Sequence, residues 1–324
     1  MEALTNALLL VGGLLILWIG GESLVRGSAR LAQRLGISPL VIGLTVVAFG
    51  TSAPELAVAV QAALRNEHGI AVGNVLGSNI ANILLILGVA AAARPLDVSL
   101  KLLKIDGPIM VAVTLVFGLM AFDLAGDGQI ERWEGMVLVA GLVGYNVFTY
   151  RMARREPQAV KDEYKSSQGT DGAPAFNLLL VVIGIAALTG GGHLIVRGAV
   201  GLAELMHVPK TIVGLTIVAV GTSLPELAAS VIAARHKLPD IAIGNIVGSN
   251  IFNILSVIGI TATVRPMDVA RNTLMLDGPV VLAASLLLLV VARTGQRIGR
   301  REGWTLLALY GGYLAWTVQR GLAA

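Results

Sequence analysis

Two long motifs occur twice in this chain of 324 residues. GLTVVAFGTSAPEL at 43–56 returns as GLTIVAVGTSLPEL at 214–227, and IAVGNVLGSNIANI at 70–83 returns as IAIGNIVGSNIFNI at 241–254. A single offset of 171 residues relates both pairs. Self-similarity at a fixed offset means that one structural unit is built twice, so this repeat constrains the fold more than any other feature of the chain.

The same offset reaches beyond the motifs and predicts that the two copies align without a gap. Further pairs that it relates are Arg26 and Arg197, Arg94 and Arg265, Asp106 and Asp277, and Trp133 and Trp304. The first copy is therefore predicted to cover 1–151 and the second 175–324, and a polar linker at 152–174 joins them.

Apolar segments fill both copies. Hydrophobic residues make up 55% of the chain and charged residues only 14%, which excludes an ordinary soluble domain. A helix needs about 20 apolar residues to cross the hydrocarbon core of a bilayer. Segments of about this length lie at 5–25, 37–64, 69–92, 105–122, 133–151, 175–197, 208–234, 240–262, 274–292 and 302–319. We therefore predict an all-α integral membrane protein with about ten transmembrane helices.

Five spans per copy is an odd number, so the second copy enters the bilayer from the opposite side. This predicts two inverted-topology five-helix repeats, an arrangement typical of secondary transporters. Most of the 24 Lys and Arg residues fall in the loops of one side, which includes the linker. By the positive-inside rule that side is cytoplasmic, and both termini are predicted to lie outside the cell membrane. The net charge of +4 thus reports topology and not a nucleic-acid partner.

A carboxylate lies within the second apolar segment of each copy, Glu55 in the first and Glu226 in the second. An acid inside the hydrocarbon region is costly and is by default a functional residue. Each follows a proline, Pro54 or Pro225, so the helix is expected to kink there and to free backbone carbonyls. Cysteine is absent and histidines do not cluster, so oxygen ligands favour Ca²⁺ and Na⁺ over zinc or copper.

Hydroxyls and amides accompany both acids at helical spacing. Thr51 and Ser52 precede Glu55 by four and three residues, which predicts that all three oxygens share one helical face. Ser78 and Asn82 are also four residues apart. The second copy repeats the set as Thr222, Ser223, Glu226, Ser249 and Asn253. A pseudo-twofold axis would bring both half-sites together as one cation site near the bilayer midplane.

Structural roles compete with these assignments. The serines at 52, 78, 223 and 249 also suit close helix packing, and Asn82 and Asn253 also suit bridges between helices. Asp106 and Asp277 each precede Gly-Pro and are expected to cap helices. Caps or interhelical hydrogen bonds are expected for Asn74, Asn79, Asn245 and Asn250.

The doubled pattern G-T-S-x-P-E-L and G-N-x-x-G-S-N-I-x-N-I resembles the two α-repeats of the sodium/calcium exchanger family, within the cation/calcium antiporter superfamily. The resemblance covers nearly the whole chain and is strongest to the bacterial calcium/sodium antiporters. It implies that Glu55 and Glu226 coordinate Ca²⁺ together with the backbone carbonyls of Thr51 and Thr222. It also implies flanking Na⁺ sites from the side chains of Ser52, Ser78, Ser223 and Ser249 and the carbonyls of Ala48 and Ala219.

One position departs from the pattern. Some exchangers carry aspartate where this chain has Asn253, so the predicted site holds two acids and the family's exchange stoichiometry does not carry over. The predicted function is Ca²⁺/Na⁺ antiport across a lipid bilayer, with no cofactor and no obligatory protein partner.

Three alternatives stay open. Ca²⁺/H⁺ antiport would use the same two acids. A serine hydrolase built on Gly50-Thr51-Ser52 would need a base near the serine. A passive cation channel would fit the polar site and leave the inverted repeat unexplained.

Overall fold

The computed structural model of the protein describes residues 2–122, 128–155, 174–208, 213 and 219–323. The first half is helical, with two short strands in its later part. The elements are α1 (Glu2–Leu35), α2 (Pro39–Thr51), α3 (Ala53–Leu64), α4 (His68–Ala93), β1 (Leu96–Asp97), α5 (Leu102–Ala121), β2 (Gln129–Ile130) and α6 (Arg132–Arg154).

The second half follows the same order over its described residues. The elements are α7 (Pro174–Leu205), α8 (Ala219–Gly221), α9 (Leu224–Arg235), α10 (Pro239–Val264), β3 (Met267–Asp268), α11 (Arg271–Arg293), β4 (Arg297–Ile298) and α12 (Arg300–Ala323). The predicted linker at 152–174 lies mostly outside the described residues.

Within the part of the chain that the structure describes, seven helices are long and apolar enough to span a membrane, and eight if α2 and α3 form one bent span. The molecule is therefore a multi-pass helical membrane protein. The predicted segment 302–319 forms α12, which is not among these helices, and the predicted segment 208–234 lies partly outside the described residues. The count of ten spans stays a prediction.

Two helices form the centre of the molecule. The apolar window of α10 is 100% buried and that of α4 is 78% buried, whereas α1, α6 and α7 each bury a third or less of theirs. A helix that is apolar all round and has no exposed face belongs to the core, and one with an exposed apolar face lies against lipid. The motifs at 70–83 and 241–254 are therefore at the centre of the bundle.

Helices α1 and α7 pack against each other in opposite directions. A Cβ atom added to Gly198 would lie 2.6 Å from the carbonyl oxygen of Asn6, and one added to Gly184 would lie 2.6 Å from the backbone nitrogen of Leu24. Later residues of α7 thus meet earlier residues of α1. Small residues allow this approach, which holds helices together in lipid, where apolar burial drives no association.

Two short antiparallel sheets link the halves. Leu96 of β1 pairs with Ile298 of β4, and Ile130 of β2 pairs with Met267 of β3. Each sheet therefore contains one strand from each copy.

Asp106 and Asp277 do not cap helices, so that prediction is wrong. A capping residue stands before the first turn of its helix, whereas here the helix continues through both positions. The Tyr145 hydroxyl lies 3.5 Å from Oδ1 of Asp106, and the Tyr313 hydroxyl lies 3.3 Å from Oδ1 of Asp277. Each aspartate instead accepts a hydrogen bond from the last long helix of its own copy.

These equivalent pairs also correct the gap-free alignment. The aspartate and tyrosine are 39 residues apart in the first copy and 36 in the second, so the second copy is three residues shorter there. Gly135 of α6 packs on Gly259 as Gly303 of α12 packs on Gly88, which makes these two glycines equivalent. Trp133 and Trp304 are consequently not equivalent. The two tryptophans match at the constant offset by coincidence, because both follow a loop that differs in length between the copies.

Candidate cation site

The two glutamates stand just after breaks in their helices. Helix α2 ends at Thr51, α3 begins at Ala53, and the two helices are bent by 43°. Pro54 occupies the first turn of α3, where its missing N–H costs no hydrogen bond, and Glu55 lies in the same turn. In the second copy α9 begins just after Ser223 and carries Pro225 and Glu226 in the same positions. Both acids are thereby buried, at 0% and 1% exposure.

The break overturns the prediction that Thr51, Ser52 and Glu55 share one helical face. Ser52 is the junction between two helices, so helical spacing does not apply across it. Its hydroxyl donates to Oε1 of Glu226 at 3.1 Å, and the Ser223 hydroxyl donates to Oε1 of Glu55 at 3.4 Å. Each serine therefore bonds the acid of the other copy.

Ser78 joins this crossed network, and its counterpart does not do so in the same way. The Ser78 hydroxyl donates to Oε1 of Glu55 at 3.5 Å and lies 3.2 Å from the Ser223 hydroxyl, whose single proton faces both Glu55 and Ser78. Ser249 instead lies 3.5 Å from the hydroxyl of Thr51. The hydroxyls predicted from both copies are thus brought into one cluster, and the cluster is not symmetric.

Asn74 and Asn245 bond the backbone of the two glutamates. The amide of Asn74 donates to the backbone carbonyl of Glu55 at 3.4 Å, and that of Asn245 to the carbonyl of Glu226 at 3.3 Å. Their side-chain oxygens accept from the threonines of the opposite copies, Thr222 at 3.4 Å and Thr51 at 3.1 Å. The prediction of interhelical hydrogen bonds is confirmed for both asparagines.

Site reasoning from sequence nonetheless missed the part that Asn74 and Asn245 play. Each amide fixes the backbone of a glutamate and the hydroxyl of a threonine at once. The available signal was their occurrence at the same position of both motifs. Asn79 also joins the two copies, since its amide donates to the Asn250 carbonyl at 3.3 Å, whereas the amide of Asn250 donates to the Ile246 carbonyl of its own helix at 2.8 Å.

Asn82 and Asn253 lie where α4 and α10 widen into π-helical turns, Ala81–Ile86 and Asn253–Ile258. Such turns re-aim side chains and are frequent at functional sites. The Asn253 amide donates to Oδ1 of Asn79 at 3.0 Å, while neither polar atom of Asn82 has a hydrogen-bond partner among the described residues. Both side chains are buried. Because their hydrogen bonds differ, the two copies again differ in detail.

Four buried oxygens of the predicted ligand residues accept no hydrogen bond from any described residue. They are Oε2 of Glu55, Oε2 of Glu226, Oδ1 of Asn82 and Oδ1 of Asn253. A buried acceptor without a partner is costly, and such atoms in native proteins call for an explanation. Carboxylate and amide oxygens are the ligands that Ca²⁺ and Na⁺ prefer, so this donor set fits a hard cation.

The family resemblance alone implies the backbone carbonyls of Ala48 and Ala219 as ligands. The Ala48 carbonyl accepts hydrogen bonds from the Ser52 nitrogen at 3.0 Å and the Thr51 hydroxyl at 3.4 Å, so a bound ion would compete with both. Ala219 begins the short helix α8.

The described residues contain no group of three or more His, Cys, Asp or Glu that could hold a metal ion. The cluster therefore offers two carboxylates among neutral oxygens, as the motifs predict. This composition suits an ion that binds and leaves, and it does not suit a tightly held transition metal. Fold and site together define a multi-pass membrane protein with a buried, oxygen-lined polar centre between two related halves.

Comparison with known proteins gives this class a family. The model of the sodium/calcium exchanger protein family matches residues 5–151 and 176–319. The sodium/calcium exchanger MaX1 of Methanosarcina acetivorans is 36% identical over 95% of this chain and 97% of its own length. The inner membrane protein YrbG of Escherichia coli is 36% identical over 97% of this chain and 95% of its own.

A solved structure agrees with these relatives. The sodium-calcium exchanger NCX_Mj, soaked with Na⁺ and Sr²⁺, superposes with a TM-score of 0.83 and is 30% identical, covering 97% of this chain and 98% of that one. The chain belongs to the sodium/calcium exchanger family. It is a membrane transporter for calcium and a counter-cation, not an enzyme, which removes the serine hydrolase alternative.

Proposed function

We propose that this protein exchanges Ca²⁺ for Na⁺ at one site formed by Glu55 and Glu226. The crossed network carries the proposal, because Ser52 bonds Glu226 and Ser223 bonds Glu55, which ties the two acids into one polar centre. The relatives MaX1 and NCX_Mj are named sodium/calcium exchangers. Ca²⁺ would take the unpartnered carboxylate oxygens together with the carbonyls of Thr51 and Thr222.

Charge balance supports a site that alternates between the two ions. Two ionised carboxylates carry two negative charges, which one Ca²⁺ or two Na⁺ neutralise. An unpaired charge in a low-dielectric interior is costly, so the loaded site is expected to pass the hydrophobic barrier more readily than the empty one. This difference would couple the two ion movements. The hydroxyls of Ser52, Ser78, Ser223 and Ser249 would supply the flanking Na⁺ ligands.

The proposed architecture is two inverted five-helix repeats, 1–151 and 175–324, with the site near the bilayer midplane. Antiparallel packing of α1 on α7 supports inversion, because these helices begin the two copies. The two mixed sheets, each with one strand from each copy, support it as well. In such transporters the substrate site lies at the interface between repeats.

Ion flux in reconstituted vesicles tests the counter-ion. With pH clamped equal on both sides, an outward Na⁺ gradient is expected to drive Ca²⁺ into vesicles that contain the protein. Ca²⁺ uptake that follows a pH gradient and ignores the Na⁺ gradient would instead identify Ca²⁺/H⁺ antiport. Ca²⁺ movement without any counter-ion would identify a channel and contradict exchange.

Topology is open to a separate test. Most Lys and Arg residues lie on the side of the linker, so a reporter fused after Ala324 is expected to be active outside the cytoplasm of a bacterial cell. A second reporter, which is active only in the cytoplasm, is expected to be active when it is inserted in the linker 152–174. If both fusions report the same side, the odd number of spans in the second copy is wrong.

A further inference from the structure

A cavity of about 380 Å³ outside the cation site is lined by four arginines. Arg94 follows α4, Arg235 ends α9, Arg297 belongs to β4 and Arg300 begins α12. All four side chains come from exposed residues. A cavity of this size falls in the range of small-ligand pockets, roughly 300–1,000 Å³.

Most of this positive charge is not neutralised. Asp97 is the acid that lines the cavity, and its Oδ1 lies 3.6 Å from Nε of Arg297. Among the described residues, no carboxylate lies within ion-pair distance, 4.0 Å, of Arg94 or Arg300. The cavity is thus built for an anion, and guanidinium groups match the planar oxygen pairs of phosphate.

The ends of several helices surround the cavity, which we therefore place at the edge of the membrane. Three helices of the bundle start or finish around it, since α4 ends at Ala93, α9 ends at Arg235 and α12 begins at Arg300. The Arg235 guanidinium stacks 5.3 Å from the ring centre of Trp18, whose side chain is 44% exposed on α1. Tryptophan is enriched at the level of lipid headgroups. Lipid phosphates are therefore the anions within reach.

The opposite end of the molecule does not repeat this charge. Arg94 and Arg300 have arginine counterparts there, Arg265 and Arg132, on the alignment set by the paired strands and the glycine contacts. The positions equivalent to Arg235 and Arg297 hold instead Leu64 and Gln129. The positive-inside rule accounts for more basic residues on the side of the linker, and on that side four arginines converge on one cavity.

We propose that the arginine cavity binds the phosphate of an anionic phospholipid in the leaflet on the side of the linker. Basic pockets between transmembrane helices on the cytoplasmic side are suited to such headgroups. Arg94 belongs to the first copy and the other three arginines to the second, so the bound headgroup bridges the two halves. The bridge predicts that the lipid stabilises the folded protein.

Thermal unfolding of the full-length protein in detergent tests this binding, with phosphatidylglycerol, phosphatidylcholine or inorganic phosphate added in turn. Phosphatidylglycerol is expected to raise the Tm, and phosphatidylcholine is not. An equal rise with inorganic phosphate would show a soluble anion site and overturn the lipid assignment. Equal rises with both lipids would overturn the anion site itself. This comparison needs no variant and so does not depend on the folding of one.

Paired variants then locate the site. Arg94→Gln with Arg300→Gln is expected to raise the phosphatidylglycerol concentration for half-maximal stabilisation by about tenfold or more, since each basic residue at an anionic surface contributes roughly fivefold in affinity. The matched control, Arg265→Gln with Arg132→Gln, removes the same charge from the equivalent positions of the opposite face. Equal losses in both pairs would show a general charge effect and refute the cavity.

Discussion

Glu55→Gln and Glu226→Gln are each expected to abolish Ca²⁺ transport while the protein still inserts and folds. Glutamine has nearly the shape of glutamate and keeps an oxygen that accepts from Ser223 or Ser52. It removes one of the two charges that balance a divalent ion. Ligand charge tunes Ca²⁺ affinity over orders of magnitude, so we expect apparent affinity to fall by about 100-fold or more.

Uptake of Ca²⁺ by reconstituted vesicles under a Na⁺ gradient measures this loss, and thermal unfolding of the same preparations confirms folding. Asp106→Asn is the matched control, because Asp106 is also a buried acid, at 1% exposure, yet it bonds Tyr145 away from the cluster. Its apparent Ca²⁺ affinity is expected to stay near that of the unmodified protein. Near-normal uptake by either glutamine variant would remove the substituted glutamate from the site and contradict a site formed by both acids.

Gly191→Ala is expected to destabilise the protein strongly, whereas Gly190→Ala is not. The added Cβ at position 191 would lie 2.7 Å from the backbone nitrogen of Leu17 and 2.9 Å from the carbonyl oxygen of Gly13, so α1 and α7 must move apart. Overpacking of this kind costs typically about 1–3 kcal/mol. Nothing lies within 4 Å of a Cβ at position 190.

The comparison of these neighbours separates packing from helix propensity. Alanine is favoured over glycine within a helix by up to about 1 kcal/mol, so Gly190→Ala is expected to raise the Tm slightly or leave it unchanged. Gly191→Ala gains the same propensity and is still expected to lower the Tm in detergent and the yield of folded protein. If both variants unfold at the same temperature, close packing of α1 on α7 does not stabilise the fold.

The sequence alone predicted the membrane class, the doubled unit and most residues of the cluster. Long apolar segments, a proline that interrupts a helix and an acid within such a segment are local properties, so they are readable without a partner. Glu55 and Glu226 were identified in this way. The family followed from the length of the doubled motif, and comparison with relatives confirmed it.

Only the tertiary structure decided which groups meet. Helical spacing grouped Ser52 with Glu55, yet the break at Ser52 separates them, and Ser52 bonds Glu226 of the other copy. Helical spacing predicts which residues share a face only within one continuous helix. Asp106 likewise bonds a tyrosine 39 residues away and does not cap a helix, and no local signal encodes such a distant partner.

The loss of three residues in the second copy was hidden for a related reason. A shorter loop leaves the motifs on either side intact and changes only which residues are equivalent between the copies. The equivalence becomes visible in the packing, since Gly303 packs on the first copy as Gly135 packs on the second. The sequence therefore determined what the chain contains and where its helices break. Contacts between the two copies depend on how helix faces meet in three dimensions, and those faces are set by packing among residues far apart in the chain.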